Sequence, residues 1–174
     1  MKKEIRKKMK DLRNQMNILE KRKLDQSIVE HIKKDKDFIN AQVVAFYMPM
    51  TNEIDVLPIY DEQKTFLIPR MDKDQMVFVK YHPMMKFEIS NFGVKEPCKD
   101  AAVYNCHIDY MVIPALAISK SLHRIGYGKA YYDRFIFKNR PSKVVGVIYP
   151  FQEISTFDHE VHDQKLDGYF IGEL

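Results

Sequence analysis

Three short runs constrain this chain most: Val43-Val44-Ala45-Phe46-Tyr47, Tyr110-Met111-Val112-Ile113, and Lys143-Val144-Val145-Gly146-Val147-Ile148-Tyr149. A strand with one wet face alternates apolar and polar residues. A run with almost no alternation must be buried on both faces, the usual condition of strands in a parallel sheet. Residues 65–68, 76–81, 87–89 and 169–171 read as further strands, the first stopped by Pro69. Residues 90–107 hold Pro97 and carry no period, so they read as irregular. Between strands the period changes. Ile5, Met9, Leu12 and Met16 recur at helical spacing. Asn17 followed by Glu20 has the form of an N-cap with its N3 partner, opening a second helix with Leu24, Ile28 and Ile32 on one face. A short helix is expected over residues 55–60, with Pro58 near its first turn, and another over 131–139. Alternating strands and helices predict an α/β fold: a three-layer αβα sandwich around a largely parallel sheet. The 174 residues show no repeat and no low-complexity linker, so residues 1–174 are expected to be one domain.

Composition narrows the classes. No stretch approaches the ~20 apolar residues of a membrane helix. The basic start, MKKEIRKKMKDLR, has no apolar run behind it and is not a secretory signal. Cys98 and Cys106 form no CxxC pair. A cytoplasmic protein without a membrane partner is expected. The net charge of +4 is concentrated before residue 36. Such a segment suits either nucleic acid or a solvated helix face. With no aromatic-rich or helix-turn-helix pattern beside it, no nucleic-acid partner is expected.

Glycine is scarce, 6 in all, and two of them share one loop: Arg124-Ile125-Gly126-Tyr127-Gly128-Lys129-Ala130-Tyr131-Tyr132-Asp133. Glycines let backbone N–H groups approach a ligand, and a helix N-terminus favours anions. Arg124 and Lys129 add charge, and Asp133 is a carboxylate of the kind that holds magnesium against phosphates. A P-loop would need Ser or Thr where Ala130 stands, and a dinucleotide fingerprint would need glycine at Tyr131. The loop alone therefore leaves two readings open, a phosphate site and a plain strand-to-helix turn.

The wider pattern resembles the 5-formyltetrahydrofolate cyclo-ligase family. Residues 109–117 (DYMVIPALA) followed by 124–134 (RIGYGKAYYDR) are similar to its hallmark, a strand ending V-P-G-x-A and then R-[LI]-G-x-G-x-G-[YF]-Y-D. Lys2 and Arg6, the segment from Tyr47 to Glu53 and Asp55, Phe66 to Arg70, Gly93 to Pro97, Gln152, and His162-Asp163 with Asp167 follow in the family's order. The resemblance implies a Rossmann-like sandwich of the NagB/RpiA/CoA-transferase kind. It implies an enzyme that uses ATP as co-substrate, with Mg2+, to convert 5-formyltetrahydrofolate, with or without a polyglutamate tail, to 5,10-methenyltetrahydrofolate. A monomer or weak homodimer is expected.

By the same resemblance, ATP would be held by Lys2, Lys3, Glu4, Ile5 and Arg6 and by Arg124, Ile125, Gly126, Tyr127, Gly128, Lys129, Ala130, Tyr131 and Tyr132. Lys129 and Arg124 would act on the transferring phosphoryl group. Glu53 and Met48 would contact the folate, along with Tyr127, Gly128, Lys129, Ala130 and Tyr131. Asp133 and Asp163 would hold the metal. Lys2 and Arg6 lie one turn apart on one helix face, where cations oppose the macrodipole at a cost of roughly a few tenths of a kcal/mol. His159 and His162 suggest zinc, but the spacing is one short of HExxH and no third ligand is evident. Three departures stand out: Ala115 for a glycine, Ile118-Ser119 for Phe-Asp, and Ala130 for the third loop glycine. If position 130 needs a positive φ, alanine costs about 1 kcal/mol; if it is helical, alanine helps.

Overall fold

A computed structural model describes residues 1–91 and 93–174. In α1 (Lys2–Asn14) the helical stripe buries Met9 and packs Ile5 and Leu12 against Leu116, Ala117, Ile125 and Phe157. Asn17 caps α2 (Ile18–Lys34): its Oδ1 accepts from the N–H groups of Leu19 at 2.8 Å and Glu20 at 3.4 Å. Leu24, Ile28 and Ile32 form the buried face of α2, as their spacing predicts. A five-residue α3 (Lys36–Asn40), capped by Asp35, brings Phe38 into the same core.

The strands follow as β1 (Val43–Ala45), β2 (Thr65–Asp72), β3 (Gln75–Lys80), β4 (Phe87–Ile89), β5 (Lys95–Pro97), β6 (Tyr110–Pro114), β7 (Ala117–Ser119) and β8 (Arg124–Ile125). After α4 (Tyr131–Lys138) come β9 (Lys143–Ile148), β10 (Glu153–Ile154) and β11 (Gly168–Ile171). Six of them form the main sheet in the order β11-β9-β6-β1-β2-β3, parallel throughout except for β3. The apolar runs alternate between two cores. Val44, Phe46, Tyr110, Val112, Val145 and Val147 pack with α2 and α3, whereas Ala45, Met111, Ile113, Val144 and Ile148 pack with Ile136 of α4 and Ile118 of β7. Among the described residues, no helix is long and apolar enough to cross a membrane.

Three expectations are corrected. Pro69 does not end β2, which runs on to Asp72. Tyr81 N–H bonds to Phe66 O, and the antiparallel alternation from there puts the Pro69–Phe78 pair at a non-bonded position. The missing N–H of Pro69 then faces away from β3, beyond the end of β1, where no ladder bond is lost. Residues 90–107 are not wholly irregular, since β5 pairs with β4. The turn near Pro58 is a three-residue 3-10 turn, Leu57–Ile59, not a helix over 55–60. A second sheet, β10-β7-β8, had no sequence signature. It packs Ile118 and Ile125 beside α4 and α1, so the layer on this face mixes helix with sheet.

The topology also fixes where a ligand belongs. From β1 the chain moves to β2 and β3 on one side; from β6 it moves to β9 and β11 on the other. The strand order reverses between β1 and β6. In open α/β sheets, the crevice beyond the carboxyl ends at such a point is where ligands bind.

Candidate functional site at the carboxyl ends of the strands

The glycine loop closes over that crevice. Arg124 turns back across it, its Nη1 donating to Pro114 O at the end of β6 at 3.2 Å, with the guanidinium 5.2 Å from the Tyr132 ring centroid. A Cβ on Gly126 would lie 2.5 Å from that nitrogen, so this position must be glycine for Arg124 to lie there. Gly128 has φ +100°, open to glycine at little cost. Ala130, the residue before α4, has φ 56° and ψ 25°: the left-handed region, and thus the costly alternative for an alanine. Arg134 braces this turn from α4. Its Nη1 donates to Lys129 O at 2.9 Å, and its guanidinium lies over Tyr131.

α1 forms the other wall. Lys2 Nζ donates to Asp163 Oδ2 at 3.2 Å, and Arg6 Nε donates to Gly126 O at 2.8 Å. Arg6 also lies over Gly128, where a Cβ would be 3.5 Å from its Cζ. The result is a cleft of about 430 Å³ lined by Lys2, Arg6, Arg124, the loop from Gly126 to Asp133, and Asp163. Lys129 is exposed at its rim, and its ammonium has no side-chain partner among the described residues. Burial pulls the Arg124 guanidinium down, opposed by Asp133, Tyr132 and Asp163. Burial would raise Asp163, but the Glu160 N–H and the Lys2 ammonium outweigh it and hold the carboxyl below its usual range. Asp133 Oδ1 accepts from the Gln164 N–H at 3.1 Å, which ties the start of α4 to the segment carrying Asp163.

These two carboxylates face one cleft, and no group of three metal-binding side chains exists among the described residues. Two hard oxygen ligands beside room for phosphate and water match how proteins hold Mg2+, which demands few protein donors. His159 stacks on His123 with ring centroids 3.7 Å apart, while His162 Nε2 lies 3.0 Å from Glu160.

A second group lies deeper. Glu53 is 6% exposed. Its Oε1 accepts from the Met50 N–H at 2.9 Å, and Oε2 accepts from the Tyr127 hydroxyl at 3.3 Å. Arg13 Nη2 donates to the same hydroxyl at 2.6 Å. Burial pushes the Glu53 carboxyl up, against the Met50 N–H and the Arg13 charge. Burial and the Glu53 charge lift the Tyr127 phenol to about 12. Next to this group is a cleft of about 670 Å³ whose lining includes Arg13, Met16, Met48, Met50 and Leu57.

The expected residues thus divide. Lys2, Arg6, residues 124–133 and Asp163 converge on the cleft of about 430 Å³. Lys3 and Glu4 point to solvent, and Ile5 belongs to the packing under α1, so none of these three side chains lines it. Met48 sits in the second cleft, joined to the loop through Glu53 and Tyr127. Sequence reading missed Arg13 and Arg134. Arg13 did carry a signal: with Lys2, Arg6 and Met9 it continues one helical stripe, and a cation there belongs to the face that packs.

A model of the 5-formyltetrahydrofolate cyclo-ligase family matches residues 1–171. The 5-formyltetrahydrofolate cyclo-ligase of Mycoplasma genitalium is 32% identical over 170 residues, covering 94% of this chain and 93% of the relative. That of Haemophilus influenzae is 23% identical, covering 97% and 96%. Among solved structures, the 5,10-methenyltetrahydrofolate synthetase of Aquifex aeolicus is similar with a TM-score of 0.85 and 26% identity, covering 98% of this chain and 89% of that one.

Proposed function

The chain belongs to the 5-formyltetrahydrofolate cyclo-ligase family, and on that premise we propose that it uses ATP to close 5-formyltetrahydrofolate into 5,10-methenyltetrahydrofolate, releasing ADP and phosphate. The observation that carries the reading is the single cleft at the switch point. There a left-handed loop, the cations Lys2, Arg6, Arg124 and Lys129, and the carboxylates Asp133 and Asp163 face the same space.

The chemistry explains the charge. A formamide oxygen is a poor leaving group, and the N5 lone pair is tied up in the amide. Transfer of the γ-phosphoryl group to that oxygen gives an iminium phosphate. N10 then attacks the formyl carbon and loses its proton. The C–O bond breaks, and phosphate departs with the former formyl oxygen. Little covalent work falls to the protein, so positioning and charge stabilisation carry the catalysis. Gly126 to Tyr132 cradle the triphosphate, with Arg124 fixed from below. Lys129, exposed at the rim, reaches the group in transfer. Arg6 and Lys2 close α1 over the nucleotide. Asp133 and Asp163 hold Mg2+, which when bound neutralises charge on the phosphates. Glu53 receives the paired N–H donors of the pterin, and Met48 supplies part of an apolar wall.

The mostly parallel sheet with both faces covered supports assignment to the Rossmann-like αβα sandwiches, with residues 1–174 as one domain. Substrate labelled with ¹⁸O in the formyl group tests the route. The label should appear in inorganic phosphate as the methenyl product forms. Label released into water, with none in phosphate, would contradict phosphorylation of that oxygen.

A further inference from the structure

Arg13 is placed as if for a ligand that the nucleotide cleft does not explain. It is 5% exposed, yet its Nε has no hydrogen-bond partner among the described residues. Buried N–H groups are nearly always paired, because leaving one unpaired is destabilising. Its Nη2 donates to the Tyr127 hydroxyl at 2.6 Å, and that hydroxyl donates in turn to Glu53 Oε2 at 3.3 Å. One phenol therefore stands between a buried cation and a buried carboxylate and serves both. Tyr127 differs from its two partners in being 39% exposed, on a loop whose next residue needs φ +100°. Lys10 and Arg13 of α1 lie over its ring, with centroid distances of 5.3 and 5.7 Å.

The pair under the phenol has a defined chemical complement. A carboxylate accepts from two adjacent N–H donors, and a neighbouring guanidinium donates to an acceptor beside them. The edge of a 2-amino-4-oxo pteridine presents that order: the 2-amino group, N3–H, then the 4-oxo oxygen. We propose that Arg13 is a substrate-binding residue that donates to the 4-oxo oxygen of the pterin, and that the Tyr127 hydroxyl occupies this position until the pterin displaces it. The inference rests on the reading of Glu53 as the carboxylate that receives the pterin. It adds a donor on α1, so the helix that closes over the nucleotide also senses the folate. The second cleft, lined by Arg13, Met48 and Met50, adjoins the position and offers an apolar approach to it.

Binding calorimetry with two probes tests this without requiring turnover: 5-formyltetrahydrofolate and its 4-amino-4-deoxy counterpart, which replaces the 4-oxo acceptor by a donor and also takes the hydrogen from N3, so the Arg13 contribution is read from how the preference changes between wild type and Arg13→Met. The wild-type chain should bind the 4-oxo compound at least about tenfold more tightly, since a site built around a hydrogen bond rejects the analogue that cannot make it. Arg13→Met should lose most of that preference through weaker 4-oxo binding, with ATP affinity unchanged. Arg13→Lys should keep part of it. Tyr127→Phe, which retains the ring but not the competing hydroxyl, should bind the 4-oxo compound severalfold more tightly. An unchanged preference in Arg13→Met, or equal losses on both probes and on ATP, would overturn the assignment. Wild-type protein that binds neither probe would overturn the Glu53 reading along with it. Normal probe binding without methenyl formation would instead count against the proposed reaction and leave Arg13 in place.

Discussion

The two ends of the central sheet are built from the same residue types to opposite effect. At the amino ends, the charges are answered by their neighbours. Asp109 Oδ2 accepts from the N–H groups of Gln42 and Val43, and Asp167 accepts from Val144 N–H and from Arg140. Lys143 bridges Asp35 at 2.9 Å and Asp37 at 2.8 Å, while Tyr110 donates to Asp35. Burial would raise Asp35, but Lys143, Tyr110 and the Asp37 N–H hold its carboxyl low; the Asp37 and Asp35 carboxylates hold Lys143 high against burial. At the carboxyl ends, among the described residues, Lys129 has no side-chain partner and Arg13 keeps an unpaired N–H. There too Glu53 is buried with its carboxyl pushed up, and Ala130 takes a left-handed turn. Polar groups that satisfy one another hold strands in place. Groups left unsatisfied and a backbone left strained mark the place where something else must bind.

The contrast can be broken by substitutions at either end. Lys129→Ala should cost about 10²-fold or more in kcat, the scale of removing one transition-state donor, while leaving the thermal midpoint unchanged. Near-normal turnover would remove Lys129 from the chemistry and blur the difference between the ends. Lys143→Ala should do the reverse. It leaves two carboxylates facing each other without their cation, which should lower stability by about 1–2 kcal/mol in thermal or denaturant unfolding, with kcat and KM intact. A loss of activity without a loss of stability there would contradict the assignment of that end to structure.

Ala130→Gly sharpens the comparison. With φ at 56°, glycine should relieve strain and raise stability by about 0.5–1 kcal/mol. The Arg134 bond to Lys129 O braces the same turn, so Arg134→Ala should harm ATP affinity less when combined with Ala130→Gly than in the parent. Equal losses in both would show that the brace and the strain are independent.

The smallest effect is in pH. Burial lifts the Glu53 carboxyl above its unfolded value near 4.5, so the native chain holds that proton more tightly than the unfolded chain. This contribution to stability is complete below the unfolded value and is lost as pH rises through the native one. Glu53→Gln, which cannot ionise, should match wild type at about pH 4 and melt higher than wild type at neutral pH. A lower midpoint at neutral pH would mean that Arg13 and Tyr127 stabilise the carboxylate more than burial opposes it.

Much of this is legible in the sequence alone. The runs at 43–47, 110–113 and 143–149 announced strands buried on both faces, and the spacing of Leu24, Ile28 and Ile32 marked the buried face of α2. The loop from Arg124 to Asp133 could be read because its glycines and charges are contiguous. What escaped depends on contacts across the chain. β7, β8 and β10 are two or three residues long and leave no period. The continuation of β2 through Pro69 depends on a register set by β3. Arg13 reads as another cation on a basic helix until Tyr127, 114 residues away in sequence, is brought onto it.

The central claim is that the carboxyl-end cleft joins ATP to ring closure. It is tested most directly by following the near-ultraviolet absorbance of the methenyl product when purified protein meets 5-formyltetrahydrofolate with Mg2+, with and without ATP. The account predicts product only with ATP, one ADP for each ring closed, and almost none with Lys129→Ala. Product at the same rate without ATP, or none at high enzyme concentration with it, would contradict the account.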